Sequence, residues 1–364
     1  MSDARSRLVA ELLALSAHDA PSAEPGASAE AVAWLETRLG ELEAALTRHE
    51  TSTGIVLDAR FGPADDSPVL ILSHYDTVWP AGTAAERPAR QEGDIVHGPG
   101  VFDMRGGIAA ALAALERARP LERAVRFLLT PDEETGSRGS GELIKEAARD
   151  AALVLVTEPP LDGGALKTSR KGWAAYTLAV RGRAAHAGLE PEMGASAIDE
   201  LVDRLLDVRR LADPERGTTI NAGVIGGGSA ANVVADSAWA RIDVRAQTVA
   251  EQERVHSAMA TLEARRAGTS LDLETEVMRP PMERTPAIAS AFARAHELAG
   301  ELGIDLHEGA AGGASDGNLV APLGVPVLDG LGPEGGGAHA LDERVQSDSL
   351  VERAHLIALL LRRW

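Results

Sequence analysis

The sequence PVLILSHYDT, residues 68–77, leads to the fold prediction because an uninterrupted apolar run ends abruptly in polar residues. Two later segments repeat this pattern, AVRFLLTPDEE at 124–134 and ALVLVTEPP at 152–160. Each run is too uniformly apolar for a half-exposed strand, which predicts strands buried on both faces. Between the first two lies GGIAAALAALERARP at 106–120, whose Ala- and Leu-rich composition predicts a crossover helix stopped by Pro120. The chain is therefore predicted to be an α/β protein.

Helical patterns surround these strands. Two precede them, near residues 2–16 and 28–46, and are predicted to cover one face of the sheet. The second pattern consists of apolar residues at helical spacing: Trp34, Leu35, Leu39, Leu42 and Leu46. After Ala287 the same alternation resumes with a helix to about Leu302, a strand VPVLDG and a final helix.

The middle of the chain has a different character. From Trp173 to about Val277 the predicted order is strand, helix, strand, strand, helix, strand, which is the ferredoxin-like arrangement. RPPMERTP at 279–286 then reads as a proline-stiffened return linker. A chain of 364 residues also exceeds a comfortable single core. The predicted boundaries are 1–168 and 280–364 for the first domain and 169–279 for the domain inserted into it.

Composition excludes several classes of function. Lys and Arg total 36 against 55 Asp and Glu, and a net charge of -19 disfavours nucleic acid and anionic membrane surfaces as partners. The absence of cysteine removes disulfides, thiolate catalysis and Cys-ligated zinc, so a metal would have to use His and carboxylate ligands. The N-terminal segment is too interrupted by charge for a secretory signal, and we expect a cytoplasmic protein.

Polar residues follow the three apolar runs directly. His74 and Asp76 follow the first, Glu133 and Glu134 the second, and Glu158 the third. The carboxyl ends of strands in an open α/β sheet converge on one crevice, so these residues can share a site. Adjacent buried carboxylates repel unless a cation or proton neutralises them, which suggests that one glutamate binds metal while its neighbour accepts a proton. Each segment alone also fits an ordinary solvated loop.

Two glycine-rich loops add further candidates. Asp103 lies in GPGVFDMRGG, where Gly106 and Gly107 permit close backbone approach, and it could either bridge two cations or simply cap a helix. His339 lies in GGGAHALDE, a loop that has no need of histidine for packing. A neighbouring acid, Asp342 or Glu343, could orient its ring. Five candidate ligands of the right type thus occur at strand ends or glycine turns.

Six motifs in this order resemble one known family: SHYDTV, GPGVFDMRGG, PDEETGS, TEPP, RGRAAHAG and GGASDGN…HALDE. This is the metallopeptidase family of glutamate carboxypeptidase, acetylornithine deacetylase, succinyl-diaminopimelate desuccinylase and aminoacylase. The resemblance covers nearly the full chain and is closest to the glutamate carboxypeptidase branch. It implies a mixed central sheet flanked by helices, with an inserted ferredoxin-like lid and dimerisation domain. One departure is Arg105, where the family often has Lys, and charge is kept there.

The resemblance also implies a metal centre with two Zn²⁺ per subunit, for which Co²⁺ or Mn²⁺ could substitute. His74 and Glu158 would complete one site, Glu134 and His339 the other, and Asp103 would bridge them.

Roles outside the metal ligands follow from the same resemblance. Asp76 would orient His74, and Glu133 would be the general base for a water held between the metals. His186 would reach the active site of a partner subunit and stabilise the oxyanion. The substrate would be bound by Asn232, Arg245 and Gly313.

These roles imply a metal-dependent hydrolase that cleaves the amide bond of a C-terminal amino acid. The substrate would be a small N-acyl amino acid or peptide with a free carboxylate, and the protein a homodimer. The alternative within the family is an N-acyl-amino-acid deacylase of the acetylornithine deacetylase or desuccinylase type.

Two remoter alternatives come from other classes. GASDG at 313–317 matches a serine nucleophile elbow, with Ser315, Asp329 and His339 in the α/β-hydrolase order, although the preceding EGAAGG is not expected to be a strand. A dimeric binding protein that has lost catalysis is the other alternative, but every expected ligand and the base are present.

Overall fold

The computed structural model describes residues 2–64 and 67–364. Contacts divide the chain into two compact units. The first consists of the chain up to Ser169 together with Arg284–Ala311 and Ser315–Trp364, and the second of Arg170–Glu283 and Gly312–Ala314. No helix in this described part of the chain is long and apolar enough to cross a membrane.

The elements are numbered along the chain. Before the insertion they are α1 (Ser2–Ser16), α2 (Ala29–Glu41), β1 (Ala45–Thr51), β2 (Gly54–Phe61), β3 (Val69–His74), α3 (Thr83–Glu86), β4 (Arg90–Glu92), β5 (Ile95–His97), α4 (Gly106–Arg117), β6 (Val125–Thr130), α5 (Gly141–Arg149), β7 (Leu153–Val156) and β8 (Leu166–Arg170). The inserted elements are β9 (Gly172–Arg181), α6 (Ala197–Arg209), β10 (Thr219–Gly227), β11 (Ser237–Ala246), α7 (Val249–Ala260) and β12 (Ser270–Arg279). The return elements are α8 (Pro286–Glu301), β13 (Glu308–Ala311), α9 (Gly317–Val320), β14 (Val327–Asp329), β15 (Gly335–Gly336), β16 (Arg344–Gln346) and α10 (Ser347–Arg363).

An eight-stranded sheet in the order β1-β2-β6-β3-β7-β14-β8-β13 organises the first unit. β3 lies between β6 and β7 and is parallel to both, and β14 is parallel to β7. β2 is antiparallel to β6, so the sheet is mixed. All six residues of β3 are buried, which confirms that the apolar runs are central strands covered on both faces. Helices α1, α4 and α10 pack against one another beside this sheet.

The predicted helix over 28–46 is too long. α2 ends at Glu41, Leu42 is its cap, and Glu43 takes the left-handed conformation (φ 54) that stops a helix. Leu46, which fitted the helical spacing, lies instead in β1 and pairs with Ala59 across a hairpin. Helical periodicity continued by chance into the strand.

Two strands near the end of the sheet were not foreseen. β8 follows the Gly163–Gly164 turn, and β13 occupies the EGAA segment that was expected not to be a strand. That expectation is wrong because an edge strand is held by backbone hydrogen bonds and does not require apolar side chains.

The inserted unit has its own antiparallel sheet in the order β10-β11-β9-β12, which confirms the ferredoxin-like prediction. Burial alternates along β9, where Ala174, Tyr176, Leu178 and Val180 enter a separate hydrophobic core. Each helix of the inserted unit begins at a polar residue that caps it. Ser196 caps α6 by accepting the N–H of Asp199, and Thr248 caps α7 by accepting that of Glu251.

Candidate metal centre

His74, Glu133 and Glu158 lie at or just beyond the ends of three adjacent parallel strands. His74 is the last residue of β3 and is paired with Thr130 at the end of β6. Glu133 begins the short turn that follows β6, and Glu158 lies just beyond β7. Because the strands are parallel and adjacent, the segments that follow them emerge at one edge of the sheet.

The ligand candidates form two groups that share one carboxylate. His74 Nε2 lies 3.3 Å from Asp103 Oδ1 and 3.5 Å from Glu158 Oε1. His339 Nε2 lies 2.9 Å from Glu134 Oε1 and 3.6 Å from Asp103 Oδ2. The two oxygens of Asp103 therefore face two different histidines.

Unsatisfied buried atoms show that these residues fit a metal. His74 Nε2 and Asp103 Oδ1 are buried, and neither has a hydrogen-bond partner within the described part of the chain. His74, Asp103 and Glu134 offer ligand atoms within 4.8 Å of one another, as do His74, Glu133 and Glu158. Buried polar atoms without partners are costly, and a cation among them removes that cost. A set of nitrogen and carboxylate donors suits zinc and other divalent transition metals.

The electrostatics of the cluster point the same way. Burial alone would lower the pKa of His74, but Asp103, Asp76 and Glu158 together raise that pKa well above 6.5. The carboxylate of Glu134 raises the pKa of His339 to about 9. Burial in turn raises the pKa of the Glu134 carboxyl group. The site has an excess of negative charge and favours cations.

Asp76 connects His74 to the turn that carries the two glutamates. His74 Nδ1 lies 3.2 Å from Asp76 Oδ1 and 3.1 Å from its backbone carbonyl oxygen. The Asp76 carboxylate also accepts the N–H groups of Glu133 (3.2 Å) and Glu134 (3.3 Å) and the hydroxyl of Ser22 (2.6 Å). Ser22 was missed by sequence reasoning, because a serine in a polar loop carries no signal of such a contact.

The three consecutive acids after β6 have separate surroundings. Asp132 is fully buried and accepts hydrogen bonds from the loop that follows it. Glu133 offers an oxygen to the group around His74, and Glu134 contacts His339. Neighbouring side chains in this turn therefore serve different parts of the site.

The turn that carries Asp103 depends on glycine. Gly100 adopts a left-handed conformation (φ 72), and the Asp103–Met104 peptide bond is cis. A Cβ on Gly107 would lie only 1.9 Å from the carbonyl oxygen of Thr157. The prediction that glycine permits close backbone approach here is confirmed, since α4 begins against the backbone that follows β7.

His339 lies in a loop whose backbone is strained at this residue. Its φ of 61 lies in the left-handed region, which is uncommon for a residue other than glycine and occurs often at functional sites. Asp342 bonds Arg344 (3.0 Å), and Glu343 bonds the backbone around Asp103. Within the described residues neither acid hydrogen-bonds the His339 ring, so the expectation that one of them orients it is wrong.

Two of the remaining candidates are neighbours in the inserted unit. His186 and Asn232 are both exposed, and the N–H of Ala187 donates to the carbonyl of Asn232 (2.9 Å). The N–H of Gly188 donates to His186 Nδ1 (3.2 Å), which orients the imidazole.

Arg245 and Gly313 have separate partners. Arg245 pairs bidentately with Asp243 at 3.0 and 3.1 Å, and its guanidinium lies 5.1 Å from the ring centre of Trp173. The carbonyl of Gly313 accepts a hydrogen bond from Arg170 (3.1 Å).

The serine hydrolase alternative does not match this geometry. Ser315 is completely buried, and its hydroxyl donates directly to Asp329 (2.6 Å). His339 is engaged with Glu134. A nucleophilic serine needs an accessible hydroxyl with a histidine base between it and the acid.

Comparison with known proteins gives a consistent result. A model of peptidase family M20/M25/M40 matches residues 70–363. Carboxypeptidase G2 of Pseudomonas sp. strain RS-16 is 32% identical over 349 residues, covering 90% of this chain and 82% of the relative. Succinyl-diaminopimelate desuccinylase of Caulobacter vibrioides is 28% identical over 375 residues, covering 94% and 93%. A tripeptidase structure from Staphylococcus aureus covers 98% of each chain with a TM-score of 0.81 at 23% identity, which shows a shared fold.

These matches confirm the resemblance inferred from the motifs. They extend over both the first unit and the insertion, so they concern the whole architecture and not the metal cluster alone. The chain therefore belongs to peptidase family M20/M25/M40 and is a metal-dependent hydrolase of that family.

Proposed function

We propose that this protein is a dinuclear zinc carboxypeptidase that hydrolyses the amide bond of a C-terminal amino acid such as glutamate. The observation that carries the proposal is the Asp103 carboxylate, whose two oxygens face His74 and His339. Likeness to carboxypeptidase G2 over 90% of this chain supports the choice of reaction.

The residues divide naturally between two ions. His74 and Glu158 would hold one ion, Glu134 and His339 the other, and Asp103 would be shared. When bound, the ions polarise the scissile carbonyl and make a water molecule more acidic. Zinc is favoured by the nitrogen and carboxylate donors, and Co²⁺ or Mn²⁺ could replace it.

Glu133 acts as the general base in this proposal. Its carboxylate takes a proton from the attacking water while the water oxygen bonds to the amide carbon. It then gives that proton to the nitrogen as the carbon–nitrogen bond breaks, which releases a neutral amine. Asp76 keeps this geometry because the same carboxylate bonds the backbone of Glu133 and lies beside the ring of His74.

We assign recognition of the substrate carboxylate to Arg245, Asn232 and Gly313. The Arg245 guanidinium binds both oxygens of Asp243, and a substrate carboxylate presents the same planar pair of oxygens and would take the place of Asp243. We assign stabilisation of the oxyanion to His186 from a partner subunit. Its exposure beside Asn232 is consistent with such a role.

A homodimer through the inserted unit is part of the same proposal. α6 exposes Ile198 (40%), Val202 (46%) and Leu206 (48%), which are spaced four residues apart and so form one apolar stripe. β10, at the edge of the sheet, pairs with β11 on one side only among the described strands. An apolar helix face beside an open strand edge fits a second copy of the same surface.

The second candidate is an N-acyl-amino-acid deacylase. Likeness to succinyl-diaminopimelate desuccinylase over 94% of this chain favours it. Both reactions cleave an amide close to a carboxylate, so the same metal ligands and base serve either one. The two reactions differ in the groups that flank the scissile amide.

A substrate panel tests these proposals. Zinc-loaded protein is incubated with an acylated glutamate, N-acetylornithine, succinyl-diaminopimelate and dipeptides, and kcat/KM is compared. We expect the acylated glutamate to be the best substrate, with activity lost after chelation and restored by zinc. A preference for N-acetylornithine or succinyl-diaminopimelate would favour the deacylase. Turnover that survives chelation would contradict metal catalysis, and failure with every substrate despite full metal loading would indicate a binding protein.

A further inference from the structure

Glu343 is a buried acid that the proposed reaction does not use. It lies just before β16, and the residue is only 2% exposed. Oε1 accepts the backbone N–H groups of Phe102 (3.0 Å) and Asp103 (3.0 Å). Oε2 accepts the N–H of Gly100 (2.8 Å) and the indole N–H of Trp79 (3.2 Å). Each oxygen thus receives two donors, which fills the accepting capacity of a carboxylate.

The turn around Asp103 needs these bonds because it is not helical. Asp103 has φ −116 and ψ 97, so the backbone there departs from the helix that begins at Gly106. Its N–H groups consequently require other acceptors. The carbonyl of Glu343 also accepts the N–H of Gly98 (3.2 Å). One residue therefore holds both the start and the centre of this turn.

The same residue joins two loops of the candidate metal centre. Glu343 lies in the same loop as His339. The Glu343 carboxylate accepts hydrogen bonds from the turn that carries Asp103. His74 and Glu158 are positioned differently, since His74 ends a central strand and Glu158 follows directly after another. Asp103 and His339 therefore lie on the two loops that Glu343 joins, whereas His74 and Glu158 are positioned by the sheet.

We propose that Glu343 is a positioning residue that links the loops of Asp103 and His339 and thereby sets the affinity for the ion held by Glu134 and His339. The inference rests on the proposed dinuclear centre. It gives Trp79 a related role, because the Arg87 guanidinium lies 4.2 Å from the centre of its ring while the indole N–H is directed at Glu343.

Two substitutions of Glu343 and one neighbouring control isolate this role. In Glu343→Gln one oxygen becomes an NH₂ group, which cannot accept from the N–H donors that face it. Glu343→Asp keeps the charge but shortens the side chain, so it cannot reach all four donors. Asp342→Asn is the matched control because it removes one charge from the same loop, where the side chain of Asp342 is 73% exposed and bonds Arg344.

Metal binding is measured by calorimetric titration of the metal-free proteins with Zn²⁺ and by the visible spectrum during titration with Co²⁺. Circular dichroism establishes folding. Wild type and Asp342→Asn should bind two ions per chain. In both Glu343 variants the site of Glu134 and His339, which takes Asp103 and His339 from the two joined loops, should bind its ion about 10- to 100-fold more weakly, the usual effect of losing a residue that orients a ligand. The site of His74 and Glu158 takes only Asp103 from these loops and should weaken less.

Several results would overturn the inference. These are two unchanged tight sites in the Glu343 variants, equal weakening of both sites, or the same loss in Asp342→Asn, which would implicate charge alone. If the Gln variant fails to fold, the Asp variant decides by the same criteria. Wild-type protein that binds fewer than two ions tightly would instead contradict the proposed dinuclear function.

Discussion

Single residues in this site are distinguished by their contacts and not by their type. Glu133 and Glu134 are adjacent and chemically identical, and both backbone N–H groups bond the same Asp76 carboxylate. Their side chains nevertheless serve different groups, since Glu134 contacts His339 and Glu133 faces the group around His74. Substitution of each should therefore have a different consequence.

Glu133→Gln should lower kcat by about 100- to 10,000-fold, the usual contribution of a general base, because the amide cannot accept the proton. Its metal content should stay at the wild-type level, as measured by elemental analysis after gel filtration.

Glu134→Gln serves as the matched comparison, with the same chemical change one residue away. It should lose metal, because Glu134 lies against His339 and Asp103 shares that site. If Glu133→Gln retains most of the wild-type turnover, the assignment of the base is wrong.

At the scale of elements, two backbones meet more closely than side chains would allow. α4 begins at Gly106, and the backbone at Gly107 lies against the carbonyl of Thr157, directly before Glu158. A helix and the segment after a strand are thereby packed so that Asp103 and Glu158 both reach His74.

Gly107→Ala should destabilise the protein by about 1–3 kcal/mol or more, since its Cβ would overlap a backbone oxygen that cannot rotate away. Thermal and urea unfolding measure this effect. Gly40→Ala in α2 is the control, because a Cβ there meets nothing within 4 Å. Alanine is the better helix former by about 1 kcal/mol, so the control should be neutral or slightly stabilised. Equal behaviour of the two variants would refute the close-packing argument.

The apolar stripe on α6 is a second feature at this scale. Val202→Glu places a charge at its centre, and burying an unpaired charge in an interface is costly. The variant should shift a wild-type dimer towards monomer in sedimentation experiments at micromolar concentration. Leu302→Glu replaces an apolar residue of similar exposure (40%) in the first unit and should leave the dimer intact. A dimer that survives the Val202 substitution would rule out this surface.

At the scale of the molecule, each of the two units has its own hydrophobic core. The two units also differ in how their charged residues are arranged. The first unit carries the acidic cluster at its strand ends. The inserted unit has ion pairs of its own. Glu251, for example, pairs with Arg254 and Arg216 and also accepts the hydroxyl of Thr218.

The contacts of Glu251 predict that the stability of the inserted unit falls at acid pH. Arg254 chiefly, with help from Thr218 and Arg216 and against the opposing effect of burial, lowers the pKa of Glu251 to about 2. Because the pKa of Glu251 in the folded state is below the usual 4.5, the stability that its ion pairs contribute is complete above pH 4.5. That contribution is lost as pH falls towards 2. Glu251→Gln should flatten this dependence in urea unfolding followed from pH 5 to pH 2.5.

The control for this experiment is Glu253→Gln, at an exposed position on the same helix. It should keep the wild-type slope of unfolding free energy against pH. An unchanged slope in Glu251→Gln would show that other groups govern the acid transition.

The parts of the fold that could be predicted are those in which local pattern and tertiary environment agree. β3, β6 and β7 are apolar because both of their faces are buried, so the pattern is visible in the chain itself. β1 and β13 could not be predicted, because one continues a helical spacing and the other is an edge strand of small and polar residues. The contacts of Glu343, one of two acids expected as possible partners of His339, could not be predicted, since a carboxylate in a loop does not reveal which distant backbone it will meet.

The amino-acid sequence by itself determined the α/β class, the insertion and the types of residue available for a metal, because apolar periodicity, glycine turns and the absence of cysteine are properties of the chain. It also placed His74, Glu133 and Glu158 at or just beyond the ends of strands. Only the tertiary structure decided that the two oxygens of Asp103 face His74 and His339 and that Glu343 joins their loops. The contacts of Asp103 with His339 and Glu343 join segments more than two hundred residues apart, and their distances depend on how the strands are paired and the loops are packed.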